Sequence, residues 1–121
     1  MSGAGFAAGV IASDGTVEIG RLTEALHASK AQLASATGLS RDAVSKTARL
    51  RAPSTQTRLR DMVEILARVR PWSGSLPQAF AWYRSQPLPS FGDLTAEALV
   101  KQGRAQAVRD YLDRIAEGGF A

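Results

Sequence analysis

The sequence predicts an all-helical fold, and three observations carry that expectation. Apolar residues recur at helical spacing along most of the chain, prolines and glycines fall between those segments, and no stretch alternates as a strand does. The 121 residues suffice for one ordinary domain or for two small helical modules sharing a core.

Residues 1–17 read as a flexible N-terminal arm. The start "MSGAGFAAGVIASDG" lacks the basic opening of a secretory leader, and its apolar stretch at 6–12 is short and broken by glycine. Residues 18–28 then place Ile19, Leu22 and Leu26 on one helical face, with Ala25 beside them. Ser29 is positioned to cap a short helix carrying Leu33 and Ala34. Gly38 supplies a turn residue that tolerates positive φ, and Ser40 caps a second helix with Ala43 and Val44. That helix is expected to end by about Ala52, because Pro53 disfavours helical geometry in its predecessor.

Ser54 or Thr55 opens the next helix, whose apolar stripe is Leu59, Met62, Val63, Leu66 and Val69, widened by Ile65; Pro71 is expected to close it. A short helix follows at about 76–84, with Phe80 and Trp82 or Tyr83 as packing groups, ended by Pro87 and Pro89. At least one of Trp82 and Tyr83 is expected in the core. Thr95 starts another short helix through Ala98, Leu99 and Val100, stopped near Gly103. The last helix, about 104–117, carries Val108, Tyr111, Leu112 and Ile115 at i, i+3, i+4 and i+7.

Composition narrows the function classes. There is no cysteine, which excludes disulfides, thiol catalysis and cysteine-based zinc sites and fits a cytoplasmic protein. No apolar run approaches the roughly 18 residues of a membrane span, so no membrane association is expected. The net charge of +4 is unevenly placed: residues 1–60 carry eight bases and four acids, residues 61–121 seven of each. Between Arg41 and Arg60 there are six bases and one acid, which suggests a polyanion-binding part joined to a neutral part with another task.

The spacing of Ala34, Gly38 and Val44 is that of a helix-turn-helix: a small residue at the helix crossing, a tight turn, and an apolar pin on the second helix. Such a unit leaves Ser40, Arg41, Asp42, Ser45, Lys46 and Arg49 facing DNA, with the N-terminal residues nearest the base edges. Arg51 and Arg58, with Arg60, lie farther along and suit backbone phosphates. The same spacing also fits a helical hairpin whose basic face is only solvated.

Candidate chemistry is sparse. His27 is the single histidine, so no second imidazole or thiol completes a zinc site or a nucleophilic triad. "GAGFAAG" follows no strand and is no phosphate loop. Asp110 and Asp113 sit among Arg109 and Arg114, as on a solvated helix face. No enzyme activity, cofactor or metal is expected.

The second half, "AWYRSQPLPSFGDLTAEALVKQGRAQAVRDYLDRIAEGGFA", resembles the C-terminal toxin-binding domain of the Xre/MbcA/ParS antitoxin family. The matching features are Trp82, the proline-containing step at 87–91, the Thr95-started helix through Val100, Gly103, Val108 with Leu112, and Gly118 with Phe120. Many members carry a proline in the opening turn of the short helix, where this chain reads "FGDLTAEALV" with Thr95 able to cap unaided. With the preceding helix-turn-helix, Xre-like in type, the likeness spans about residues 18–121. It implies three parts: an arm at 1–17, a DNA-binding module at 18–70 and a toxin-binding domain at 71–121.

The resemblance further implies an antitoxin of a type II pair that sterically blocks a RES-domain toxin, an enzyme that destroys NAD⁺, and that represses its own operon. Toxin contact is then expected from Phe91, Arg104, Tyr111, Arg114, Glu117, Gly118, Gly119, Phe120 and Ala121. The alternatives left open are a helix-turn-helix regulator whose second half only dimerises, and an adaptor whose hairpin binds no DNA. A homodimer on a two-fold operator is expected, with the helices around residues 59–69 and 76–83 as candidate pairing surfaces. Phe120 either folds back as part of a helix cap or presents its ring to the partner.

Overall fold

The computed structural model describes residues 9–118. It is all-α: α1 (Ile19–Leu26), α2 (Lys30–Thr37), α3 (Arg41–Ser45), α4 (Thr47–Leu50), α5 (Pro53–Ser73), α6 (Leu76–Ser85), a single 3₁₀ turn (Pro89–Phe91), α7 (Ala96–Lys101) and α8 (Ala105–Ala116). The expected fold class holds throughout the described residues.

The long helix α5 organises the rest. Leu59, Met62, Val63, Ile65, Leu66 and Val69 are buried along it, as their spacing predicts. Its most extensive packing is with α6, through Ala79, Phe80 and Tyr83. Around this pair the two halves of the sequence interleave, α1 meeting α6 and α2 meeting α7. One apolar core therefore runs from Val10 to Leu112, and α5 carries it without a break across residues 70 and 71.

Three local departures have physical causes. Pro71 does not close α5, which continues to Ser73 and stops at Gly74 (φ +100). A proline near the end of a helix removes one backbone donor, and the Gly74 amide still reaches the Arg70 carbonyl at 3.1 Å. Pro53 occupies the first helical position of α5, where its missing N–H costs nothing, so the helix opens earlier than Ser54. The helix expected from Arg41 to Ala52 is split at Lys46, whose extended backbone (φ −96, ψ 124) separates α3 from the single turn α4.

Residues 9–17 correct the expectation of a flexible arm through residue 17. Val10 and Val17 are buried in the core, and Ile11 bridges Val17 across a tight turn. Asp14 closes that turn by accepting from the Thr16 amide at 2.9 Å, and Gly15 takes φ +86. The buried Gln56 anchors it, its side-chain oxygen accepting from the Val17 amide at 2.8 Å while its nitrogen donates to the Leu50 carbonyl at 2.7 Å. The valines supply enough apolar surface to hold a segment whose glycines argued for freedom.

Candidate functional site: a helical hairpin and an arginine–aromatic stripe

The first surface is built on α2 and α3. Ser29 and Gln32 form a reciprocal capping box at the start of α2. At its end Gly38 takes φ +73, and the Leu39 amide reaches back to the Ala34 carbonyl at 3.0 Å. Ser40 then accepts from the Ala43 amide at 3.1 Å and starts α3. Ala34, Ala43 and Val44 are buried where the helices cross, as their spacing requires.

The last carbonyls of α2 lack helical partners, and distant residues supply them. Tyr83 on α6 donates its hydroxyl to the Ala36 carbonyl at 2.8 Å, and Arg58 on α5 donates to the Thr37 carbonyl at 2.9 Å. Arg58 also reaches the Lys101 carbonyl at 3.4 Å. Its guanidinium is thus drawn between the C-terminal ends of α2 and α7, away from the outer face on which the sequence placed it. Arg84 adds a bond to the Ser35 hydroxyl at 3.1 Å.

Ser40, Arg41, Asp42, Ser45, Lys46 and Arg49 are all exposed. Asp42 lies among the cations, 3.7 Å from the Lys46 ammonium and 3.4 Å from the Arg49 guanidinium. Arg51 pairs with Asp14 at 3.5 Å; the turn hydrogen bonds from Thr16, with a smaller contribution from Arg51, hold the Asp14 carboxyl below its usual range. The face is basic, with Arg41 the cation nearest the start of α3.

The second surface lies on α8 and the 3₁₀ turn. Phe91 and Tyr111 meet edge to face, centroids 6.1 Å apart at 66°. The Arg104 guanidinium lies 5.9 Å from the Phe91 ring, and that of Arg114 lies 5.8 Å from the Tyr111 ring. Four residues expected to touch a partner therefore form one continuous stack. Tyr111 is largely buried, which raises its pKa, while both arginines are exposed. Glu117 and Gly118 are exposed at the end of α8, where Gly118 takes φ +94. Gly119, Phe120 and Ala121 lie outside the described residues.

Internal ion pairs hold this surface on the core. Arg109 donates to Asp61 and Glu64 of α5, and Arg68 donates to Asp113 at 2.7 Å. Glu97, nearly buried, accepts from Arg84 at 2.7 Å and from Lys101 at 3.2 Å. Two of the supposed solvated charges of α8, Arg109 and Asp113, are therefore cross-links. The Glu97–Lys101 pair was legible from its i, i+4 spacing, whereas nothing local marked Arg109. Trp72 was also missed: it is 50% exposed at the end of α5, one residue beyond the proline expected to end the helix.

Residues 65–118 match the family model described as the antitoxin Xre/MbcA/ParS C-terminal toxin-binding domain. The chain carries a domain of that family. Its matched region begins inside α5 and takes in Trp72, Glu97 and the whole arginine–aromatic stack. Within the toxin-binding domain Thr95 caps α7 unaided, accepting from the Ala98 amide at 3.1 Å. Comparison with curated proteins and with solved structures gave no match.

His27 is exposed at the C-terminal end of α1, where its backbone takes φ +54. Among the described residues no three metal-ligating side chains cluster, and no helix is long and apolar enough to cross a membrane.

Proposed function

We propose that the protein is the antitoxin of a type II toxin–antitoxin pair, whose toxin is a RES-type enzyme that consumes NAD⁺. The match of residues 65–118 to a toxin-binding antitoxin domain carries this reading. Neutralisation is steric: α8, its arginine–aromatic stripe and the terminal "EGGFA" cover the entrance through which NAD⁺ reaches the toxin. No reaction of the antitoxin itself is required.

The α2–α3 hairpin is the DNA-reading element, with Arg41, Lys46 and Arg49 as principal contacts, and it serves to repress the protein's own operon. The buried crossing and the exposed basic face support that role. Residues 18–70 act as the DNA-binding part and 71–121 as the toxin-binding part, although one core unites them. The protein acts in the cytoplasm as a homodimer. The apolar faces of residues 59–69 and 76–83 are occupied inside the chain, so pairing through these helices would use their outward residues. Trp72 is the exposed large apolar side chain among the described residues and the leading candidate for the pairing surface.

Co-expression with the adjacent open reading frame tests the proposal. A neighbour that arrests growth alone and is tolerated with this protein supports it; a harmless neighbour contradicts it. A gel shift on operator DNA, with and without that partner, tests the hairpin's role separately.

A further inference from the structure

We propose that the Arg104–Phe91–Tyr111–Arg114 stack recognises acidic side chains on the toxin, with each guanidinium gripping a carboxylate. This rests on the antitoxin reading and specifies the partner chemistry of its binding surface. Phe91 is held at one end by the 3₁₀ turn, whose Leu88 is buried and whose ends are joined by the Leu88 amide donating to the Leu94 carbonyl at 3.0 Å. Tyr111 is anchored in the core from α8. The two rings therefore form a fixed base, and each supports a guanidinium at one end.

Charge assignment within the domain points to an acidic partner. Arg109 is committed to Asp61 and Glu64, Arg68 to Asp113, and Arg84 with Lys101 to Glu97. Arg104 and Arg114 meet no carboxylate among the described residues; Arg104 has only the Gln102 side-chain oxygen at 3.4 Å. Tyr111 and Arg114 lie one turn apart on α8, and Arg104 occupies the N-cap position at its start. Asp110 and Glu117 neighbour Arg114 at i−4 and i+3, yet neither pairs with it: Asp110 accepts from Gln106, Asp113 is committed to Arg68, and Asp93 in the adjoining loop pairs with neither arginine.

The chemistry requires arginine. A guanidinium lying over a ring keeps its edge N–H groups free for a bidentate bond to a carboxylate, and the ring restricts its rotamers before the partner arrives. A lysine at the same position would keep the charge and lose both the fork and the stack. The two guanidiniums lie over different rings, at opposite ends of the Phe91–Tyr111 pair. Two guanidiniums on separate rings suit two acids on a protein face, one for each.

The test uses the full-length protein and the purified RES-type product of the adjacent reading frame. Affinity is measured by calorimetry at low and high salt for wild type, R104Q, R114Q, the double variant and R114K. Each glutamine variant is expected to weaken binding about tenfold or more, and R114K to fall between R114Q and wild type. The double variant should also show a shallower dependence on salt, with helix content and melting temperature close to wild type. Toxin binding by the double variant within twofold of wild type overturns the inference. So does a loss confined to operator DNA, which would reassign the two arginines to phosphate. A wild-type chain that binds no RES-type toxin overturns the antitoxin reading itself, and this inference with it.

Discussion

Tyr83→Phe isolates a single bond between the two halves of the chain. The ring is fully buried and its hydroxyl is the donor that reaches the Ala36 carbonyl, 2.8 Å away, at the end of the hairpin's first helix. Phenylalanine preserves the packing and leaves that carbonyl without a donor, which costs about 1–3 kcal/mol. Unfolding entropy near 2.1 cal/mol/K per residue gives roughly 0.25 kcal/mol/K for a chain of this length. The melting temperature should therefore fall by about 4–12 °C.

The loss should also depend on pH in one direction. Burial, reinforced by nearby Glu97, pushes the Tyr83 pKa well above its ordinary value of 10.0. A raised folded-state pKa means that the stabilisation is fully present below about pH 10 and is lost as pH climbs toward the folded value. Above pH 10 the wild type loses about 1.4 kcal/mol per unit from this residue, which the variant cannot lose. Urea melts of both proteins at pH 8 and pH 11 should show a gap that narrows at the higher pH. An equal gap at both values, or none at pH 8, would refute the assignment of this bond.

Other perturbations probe other parts of the argument. Gly38→Ala places a Cβ at φ +73, 3.2 Å from the Lys101 side chain and 3.4 Å from the Arg58 guanidinium, and should cost about 1–2 kcal/mol in a urea melt. Glu97→Gln removes the negative charge and one of the two acceptor oxygens that Arg84 and Lys101 use; with both cations partly exposed, the loss should be about 1–2 kcal/mol, below that of a fully buried pair. Asp42→Asn frees Lys46 and Arg49 and should tighten operator binding, whereas replacing Arg41 and Lys46 by glutamine should weaken it and flatten its salt dependence in a gel shift. Phe120→Ala should weaken toxin binding without changing helix content by circular dichroism if the ring faces the partner; unchanged affinity would leave it a cap.

The helices were legible because their determinants are local. Ala34, Gly38 and Val44 announced the hairpin through size and backbone freedom, and the apolar stripe of α5 announced its own burial. What remained hidden depends on distant partners. Nothing near Arg58 in sequence says that it will be drawn to the ends of α2 and α7, because those carbonyls approach only once the core has formed. Val10 and Val17 were discounted beside glycines, although the buried Gln56 waits 39 residues away for the Val17 amide. Trp72 escaped attention because a proline precedes it and the helix was expected to have ended. At the stripe, the resemblance singled out Phe91, Arg104, Tyr111 and Arg114, while their assembly into one stack required the 3₁₀ turn to meet α8.

Titrating purified protein into the RES-type product of the adjacent reading frame while following NAD⁺ consumption tests the central claim most directly. The steric account predicts that activity falls linearly to near zero at a fixed ratio of the two proteins, with NAD⁺ and preformed complex failing to react. A complex that forms and still consumes NAD⁺ at the free enzyme's rate would contradict it.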